Sequence, residues 1–325
     1  MYDILFVDIP YVEYELDEEL KEKMEIYRSD SDSIIYNLIG IEAREKPYYY
    51  SMGLLCLSSY VKKYIPDIKI KYYHYYLNDG LFIEYCKEAK LIVFSTMTVT
   101  FNKVIKCCRE VKKYNRNGKI LLGGYHATYF ARDILERYSF VDWVISYEGE
   151  VAFAKLLRGF SLVDIDGLTY RDENNVIRSN PPNKCLLGKD IPIPDYSIIE
   201  PDIKKFNIQL QTMRGCTGKC NFCVNKNYWG IQRFREIDAI VYELKELKKR
   251  LPKGTIIHII DNVFTLDKNR LKTMLFSLKN NDLLHYFAFE CDTLATAIDK
   301  EVVEILDEMG VFKVGLGFED CCEEV

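Results

Sequence analysis

Short apolar segments alternate with amphipathic segments along most of the chain, and this alternation constrains the fold more than any other feature. In the first half, five apolar runs have the length of buried strands: 4–8, 68–73, 91–95, 119–122 and 143–145. Four segments between them show the apolar spacing of helices: 52–64, 101–114, 131–138 and 150–157. The alternation predicts an α/β domain, doubly wound around a mostly parallel sheet, over residues 1–159. A charged insertion at 11–46 interrupts it.

Two further regions follow this first domain. Residues 160–206 read as a small hairpin and a proline-rich extended linker, and residues 207–325 form a second β/α series. That series has predicted strands at 208–213, 255–260, 286–290 and 314–318, and predicted helices at 238–250, 268–278 and 300–309. Four such repeats predict part of a TIM-like (β/α) barrel, with ligands at the carboxyl ends of the strands. We expect the barrel to be truncated, so that the chain is either a fragment or is completed by a partner chain or a second copy.

Composition excludes several classes of protein. The chain has 325 residues, 48% of them hydrophobic and 29% charged, which suits about two globular domains. Its net charge of −5 does not favour nucleic-acid binding, and no apolar run approaches the roughly 20 residues of a membrane span. Eleven cysteines without a disulfide-framework spacing indicate a reducing compartment. The sequence therefore predicts a cytoplasmic protein.

Three of the cysteines lie on one short loop after the first strand of the second domain. Cys216, Cys220 and Cys223 have the spacing C-x₃-C-x₂-C. Three thiolates so placed can bind three irons of a cubane 4Fe–4S cluster and leave the fourth iron open. Gly215 and Gly218 let the loop turn tightly, so that backbone amides can approach the sulfur atoms.

The spacing alone leaves two alternatives open. A structural zinc site would need a fourth ligand, which Cys185 or His258 could supply from elsewhere in the sequence. The three cysteines could also be reduced thiols that bind no metal. With four histidines in the chain, a site built mainly from imidazoles is disfavoured.

The cysteine motif, with the aromatic Phe222 before its last cysteine, resembles the signature of the radical S-adenosylmethionine (radical SAM) superfamily. The resemblance continues downstream through Trp229 and the segments 233–235, 260–265 and 315–319. Upstream, the segments 122–128 and 148–150 resemble the cobalamin-binding domain that precedes the barrel in one large subgroup.

The resemblance implies a cofactor set and roles for three more residues. S-adenosylmethionine would bind the open iron, and reductive cleavage of its C–S bond would give a 5′-deoxyadenosyl radical. Phe222, Asp261 and Glu319 would contact S-adenosylmethionine. The alternatives are that Phe222 only anchors the loop, and that the two acidic residues are solvated or cap helices. A reductant such as flavodoxin or ferredoxin would supply the electron. The substrate, a small molecule or a peptide, is not predicted.

The same resemblance implies a cobalamin site at the carboxyl edge of the first sheet. It would be built from three loops that contain Ser95, Thr96, Gly123, Gly124, Tyr125, His126, Glu148 and Gly149. The Asp-x-His-x-x-Gly loop that carries a cobalt-ligating histidine in many cobalamin domains is absent from the sequence. His74 reads as a strand or surface residue and His126 as a lining residue, so no histidine is expected on cobalt.

The function predicted on this basis is that of a 4Fe–4S-dependent radical SAM enzyme with a cobalamin-binding domain. The resemblance implies C-methylation, in which cobalamin would supply a methyl group to a substrate radical. Two alternatives remain: a radical SAM protein that has lost cobalamin, and a truncated, non-catalytic iron–sulfur protein.

Overall fold

A computed structural model describes residues 2–10, 48–75, 80–182, 185–200, 202–218 and 220–317. The predicted insertion at 11–46 and Glu319 lie outside these residues. The predicted α/β class is confirmed, with a mostly parallel sheet in the first half and a second, four-stranded parallel sheet in the second half. Among the described residues, no helix combines the length and apolar character needed to cross a membrane.

The first sheet has the strand order β2-β1-β3-β4-β5-β6-β7. Its strands are β1 (Tyr2–Asp8), β2 (Ile70–His74), β3 (Ala89–Ser95), β4 (Lys119–Gly123), β5 (Trp143–Ile145), β6 (Leu168–Arg171) and β7 (Ile177–Ser179). The first five strands pair in parallel, so their carboxyl ends meet at one edge. The helices that flank this sheet are α1 (Met52–Lys62), α2 (Phe82–Glu88), α3 (Phe101–Tyr114), α4 (Tyr125–Arg137) and α5 (Glu150–Leu157).

The structure differs from the expected elements at particular points in this half. The predicted hairpin is present as β6 and β7, but β6 pairs antiparallel with β5 and extends the first sheet. Burial of Leu168, Thr169 and Tyr170 explains why the hairpin docks there. Helix α4 begins six residues earlier than predicted, because Gly124 at φ 91° turns the chain from β4 directly into the helix.

The second sheet has the order β8-β11-β12-β13, with all pairs parallel. Its strands are β8 (Ile208–Leu210), β11 (Ile256–Ile259), β12 (Ala288–Leu294) and β13 (Val311–Gly317), while β9 (Met213–Arg214) and β10 (Arg233–Phe234) form a separate antiparallel pair. Helices α6 (Asn225–Trp229), α7 (Ile237–Lys248), α8 (Lys268–Asn280) and α9 (Lys300–Met309) lie between these strands in sequence. Strand β12 begins and ends later than the predicted 286–290. A turn precedes it, in which the Tyr286 amide donates a hydrogen bond to the Leu283 carbonyl oxygen.

One apolar core joins the two sheets. Strand residues such as Phe6 and Val93 of the first sheet belong to the same buried cluster as Leu210 and Ile257 of the second. The segment between the sheets contributes Tyr196, Ile199, Ile203 and Phe206 to that cluster. A second cluster covers the other face of the first sheet. Because the core is shared, the carboxyl edge of the first sheet has a fixed position relative to the cysteine loop.

His74 is a buried strand residue, in line with the strand alternative of the sequence analysis. Its Nε2 lies 3.0 Å from the carbonyl oxygen of Tyr49, and its ring meets Tyr48 and Phe206 edge-on. Burial lowers the pKa of His74 from 6.5 to about 4. The histidine therefore stays neutral in the native state while the unfolded chain gains a proton.

This pKa shift predicts a loss of stability in mild acid. The contribution of His74 is fully present above pH 6.5 and is lost as the pH falls from 6.5 towards 4. Relative to a His74→Gln variant, the wild type should lose about 3 kcal/mol of unfolding free energy between pH 7 and pH 4. Urea unfolding of both proteins across this range measures the difference. If the difference in unfolding free energy between the wild type and His74→Gln does not change with pH, His74 titrates normally in the folded protein.

Candidate cofactor site

The cysteine loop begins where β9 ends. Gly215 has a φ of 88°, and a Cβ there would lie 2.3 Å from the carbonyl oxygen of Ile231, so only glycine fits this turn. Beyond it, Cys216 and Cys223 are partly exposed and Cys220 is exposed, all three as free thiols. The loop therefore presents three accessible thiols at the carboxyl end of a strand.

Gly218 leaves open space beside two of the cysteine sulfur atoms. A Cβ at this position would lie 3.3 Å from the Cys216 Sγ and 3.8 Å from the Cys220 Sγ, so two sulfur atoms border the space that the glycine leaves open. The Gly218 amide also donates a hydrogen bond to the Cys216 Sγ at 3.3 Å. Amide donors to sulfur are typical of iron–sulfur sites. The residues present thus fit a thiolate-bound cluster.

The third cysteine, Cys223, is near enough to Tyr125 of the first domain to affect its titration. Burial raises the pKa of Tyr125 to about 12, and the neighbouring Cys223 adds to this rise. In the part of the chain that the structure describes, no three His, Cys, Asp or Glu side chains are grouped around one metal-ion position. A cubane cluster binds each thiolate at a different iron, so the three cysteines that hold it do not have to converge on one metal-ion position.

Both candidate fourth ligands of a zinc site have other partners. The exposed Cys185 thiol lies 3.8 Å from the Trp229 carbonyl oxygen. The His258 Nε2 lies 3.2 Å from the Asp292 Oδ2 in the second sheet.

Asp261 braces the backbone that leads into the cysteine loop. Its Oδ1 accepts hydrogen bonds from the amides of Thr212 (2.7 Å) and Met213 (3.1 Å), and its Oδ2 accepts one from the Thr212 hydroxyl. Burial raises the pKa of Asp261 to about 6. Phe222 is 66% exposed at the tip of the loop. The roles of Phe222, Asp261 and Glu319 in binding S-adenosylmethionine stay predictions.

The loops at the carboxyl edge of the first sheet surround an open pocket with an enclosed volume of about 100 Å³. Of the eight residues predicted to bind cobalamin, five line it: Ser95, Gly123, Gly124, Glu148 and Gly149. The cavity extends inward between apolar residues of the sheet and of helices α1 and α5: Leu54, Leu57, Val93, Phe94, Leu121, Ile145 and Phe153. Its outer wall comes from the second domain, through Arg214, Tyr228 and Trp229. An apolar pocket with a few polar groups at its mouth is typical of small-molecule and cofactor sites.

Thr96 and Gly124 hold the shape of this edge. The Thr96 hydroxyl donates to the Gly123 carbonyl oxygen at 2.7 Å and accepts from the Ala127 amide at 3.0 Å. A Cβ at Gly124 would lie 2.8 Å from the Thr96 backbone, so a side chain there would force the two loops apart. Gly124 thus allows the close approach of loop to loop.

His126 is held by aromatic neighbours. Its ring lies 3.9 Å from the ring centre of Phe101 and 4.7 Å from that of Phe130, and its Nδ1 lies 3.2 Å from the Thr98 hydroxyl. Burial lowers the pKa of His126.

A buried group of ion pairs, which the sequence analysis missed, connects the two predicted cofactor loops. Arg214, two residues before Cys216, bonds Glu148 at 3.0 Å and Glu150 at 2.8 Å. Arg233 bonds Glu148 at 2.5 Å, and all four side chains are at most 5% exposed. We call these four residues the Arg–Glu clasp. The two carboxylates near the predicted cobalamin site are thus turned towards the cysteine loop.

Helix α6 forms a second connection, whose contacts the sequence analysis also missed. Tyr228 stacks on Tyr125 of the first domain at 4.1 Å, and the Trp229 Nε1 donates to the Tyr125 hydroxyl at 2.8 Å. Asn225 accepts from the Tyr125 hydroxyl at 2.7 Å and donates to Asn262 at 2.8 Å. The aromatic residues of 225–229, just after the last motif cysteine, are the signal that could have indicated this contact.

Comparison with known families agrees with both halves of this site. Residues 44–157 match the B12 binding domain, and residues 210–325 match the Radical SAM superfamily. The chain belongs to the radical SAM superfamily and carries an N-terminal B12-binding domain. The family predicted from the cysteine and glycine motifs is confirmed.

Individual relatives are distant. An uncharacterized methyltransferase of Pyrococcus horikoshii is 27% identical over 225 residues, covering 66% of this chain and 48% of the relative. A putative methylthiotransferase of Methanocaldococcus jannaschii is 28% identical over 159 residues, covering 48% of this chain and 34% of the relative. The chain therefore spans about half or less of the length of these curated relatives.

A solved structure shows the same fold. The radical S-adenosylmethionine methyltransferase TsrM from Kitasatospora setae, a structure with cobalamin and a 4Fe–4S cluster bound, superposes with a TM-score of 0.70 at 15% identity. The superposition covers all of this chain and 60% of TsrM.

Proposed function

We propose that the chain is the cofactor-binding part of a cobalamin-dependent radical SAM enzyme that transfers a methyl group to carbon. The observation that carries this proposal is the pocket at the carboxyl edge of the first sheet, whose facing wall comes from Arg214, Tyr228 and Trp229, residues that flank the cysteine loop in the sequence. Its two walls are joined by the Arg–Glu clasp and by the stack of Tyr125 on Tyr228. The name of the Pyrococcus horikoshii relative supports methyl transfer as the reaction class.

In this proposal, Cys216, Cys220 and Cys223 hold the 4Fe–4S cluster, and the cavity at Ser95, Gly123 and Gly149 holds cobalamin. When bound, the cluster with S-adenosylmethionine supplies a 5′-deoxyadenosyl radical and cobalamin supplies a methyl group. The protein residues position these groups in one cleft and exclude water from its inner end. A flavodoxin or ferredoxin is proposed as the source of the electron.

The test is S-adenosylmethionine turnover by the full chain after anaerobic reconstitution with iron, sulfide and hydroxocobalamin. With a strong reductant, the proposal predicts both 5′-deoxyadenosine and S-adenosylhomocysteine, the latter only when cobalamin is added. A matched Cys220→Ala variant should yield neither product. S-adenosylhomocysteine formed equally without cobalamin would contradict cobalamin-dependent methyl transfer.

A separate prediction concerns the cobalt ligand. Because the ring of His126 is sandwiched by Phe101 and Phe130 and its Nδ1 lies near Thr98, no histidine should reach cobalt from this edge. With the cofactor's own dimethylbenzimidazole tail displaced from cobalt as well, electron paramagnetic resonance of the Co(II) form should show no nitrogen superhyperfine splitting, in the wild type and in His126→Ala alike. Nitrogen splitting that disappears in His126→Ala would show that His126 is a ligand.

A further inference from the structure

A chain of four hydrogen bonds runs from the wall of the predicted cobalamin pocket to the start of the cysteine loop. The Nε1 of Trp229, which lines the pocket, donates to the Tyr125 hydroxyl at 2.8 Å, and this hydroxyl donates to the Asn225 Oδ1 at 2.7 Å. The Asn225 Nδ2 donates to the Asn262 Oδ1 at 2.8 Å, and the Asn262 Nδ2 donates to the Gly215 carbonyl oxygen at 3.3 Å. We call Trp229, Tyr125, Asn225 and Asn262 the polar relay.

All four bonds of the polar relay point in the same direction. The Tyr125 hydroxyl and the two asparagine amides each accept one bond and donate the next. If the Asn225 amide were turned round, its oxygen would face the Asn262 oxygen, so the direction of the chain is fixed. Hydrogen bonds linked in this way polarise one another, and the loss of one member weakens the others. The polar relay therefore behaves as one unit.

The two ends of the polar relay are attached to the two predicted cofactor loops. Tyr125 is the first residue of helix α4 and follows Gly124, which lines the pocket. At the other end, Gly215 is buried, and its positive φ starts the cysteine loop. Asn262 follows Asp261, which braces the backbone before Gly215. A shift of either loop therefore changes the hydrogen bonds that the other loop makes.

A neighbouring tyrosine of helix α4 offers a matched comparison. The Tyr129 hydroxyl donates to the Val224 carbonyl oxygen at 3.1 Å, just after the last motif cysteine. Tyr129 is 42% exposed, so water can replace its hydroxyl as the donor to that carbonyl. Its bond also ends on the backbone, with no further side chain to continue it. Tyr129 thus has a hydroxyl bond to the same loop without being a member of the polar relay.

We infer that the polar relay couples the two cofactor sites, with Tyr125 as the positioning residue through which occupancy of one site changes the affinity of the other. When the three motif cysteines are tied to a cluster, the relay holds Tyr125 and the start of helix α4 in one arrangement. The pocket then loses less conformational freedom when cobalamin binds, so cobalamin binds more tightly. By linkage, bound cobalamin favours the cluster by the same factor. The inference rests on the proposed function for the identity of the two ligands.

The test compares the affinity of the full chain for methylcobalamin with and without a reconstituted cluster. Equilibrium dialysis in the dark, under anaerobic conditions, measures both dissociation constants, and the methyl group keeps free thiols away from the cobalt. The wild type should bind methylcobalamin about tenfold more tightly with the cluster, within the roughly 5- to 150-fold range of coupled sites. This ratio of dissociation constants is the coupling factor.

Two variants interrupt the polar relay at different points. Tyr125→Phe removes only the hydroxyl, and Asn225→Asp keeps the acceptor for Tyr125 but removes the donor to Asn262. Both should bring the coupling factor close to one, and the double variant should lose no more than either single variant. Tyr129→Phe should keep the wild-type factor. Because each factor compares a variant with itself, a direct contact of Tyr125 with cobalamin, or a merely structural role, would leave it unchanged.

Several outcomes would overturn the inference. They are a wild-type coupling factor near one, an undiminished factor in Tyr125→Phe and Asn225→Asp, and a factor that falls equally in Tyr129→Phe. A wild type that binds both cofactors without coupling overturns the inference alone and leaves the proposed function standing. A wild type that binds no methylcobalamin, or that takes up no cluster, contradicts the proposed function and the inference together.

Discussion

Replacing Arg214 by methionine should lower the free energy of unfolding by about 3–5 kcal/mol, because it leaves two buried carboxylates without their shared partner. Arg214 is 3% exposed and bonds both Glu148 and Glu150, so neither carboxylate can turn to water without opening the clasp. Urea unfolding measures this change: the midpoint concentration of urea should fall, while the slope of the unfolding free energy against urea concentration stays the same. The matched control is Arg132→Met, which removes an exposed ion pair with Glu136 and should change stability by less than about 1 kcal/mol.

A second variant distinguishes the clasp from simple packing. Arg214→Lys keeps the charge but loses the planar two-sided geometry that bonds Glu148 and Glu150 together, so it should recover only part of the lost stability. An Arg214→Met protein as stable as the wild type would mean that water or Arg233 satisfies both carboxylates. The Arg–Glu clasp would then not be what holds the two domains together.

Any one of the substitutions Cys216→Ala, Cys220→Ala and Cys223→Ala should abolish cluster binding. The wild type reconstituted anaerobically should hold about four irons per chain and absorb broadly near ~400 nm, whereas each variant should hold almost none. Cys185→Ala is the matched control, because this exposed thiol lies near the Trp229 carbonyl and should leave iron binding unchanged. Iron loss in Cys185→Ala as well, or preferential uptake of zinc, would contradict the three-cysteine cluster.

The elements of this fold that depend on local pattern could be predicted from the sequence. Buried strands such as β3 and β4 are short apolar runs whose burial on both faces leaves a direct signal in the sequence. The start of α4 was missed because it depends on the left-handed conformation of Gly124, and a glycine in sequence does not reveal its φ angle. The hairpin was predicted, but its docking on β5 is a long-range pairing that local pattern does not encode.

In the candidate site, too, features set by local sequence could be predicted and features set by long-range contacts could not. The cysteine spacing and the glycines at the sheet edge are short motifs, so the sequence analysis could place both in one protein. The Arg–Glu clasp joins residues 66 positions apart, and nothing in the local sequence of Arg214 indicates that Glu148 is its partner. For Asp261, the family resemblance implies a contact with S-adenosylmethionine, whereas its three hydrogen bonds to Thr212 and Met213 became visible only in the structure.

The central claim is that one cleft holds an iron–sulfur cluster on the cysteine loop and cobalamin on the facing sheet edge. Anomalous diffraction at the iron and cobalt edges, from crystals of the full chain reconstituted with cluster and hydroxocobalamin, tests it most directly. We expect an iron peak bonded to Cys216, Cys220 and Cys223, and a cobalt peak beside Gly123 and Gly124 that faces it across the cleft. A zinc peak at the cysteines, or cobalt that is absent or bound elsewhere, would contradict the account.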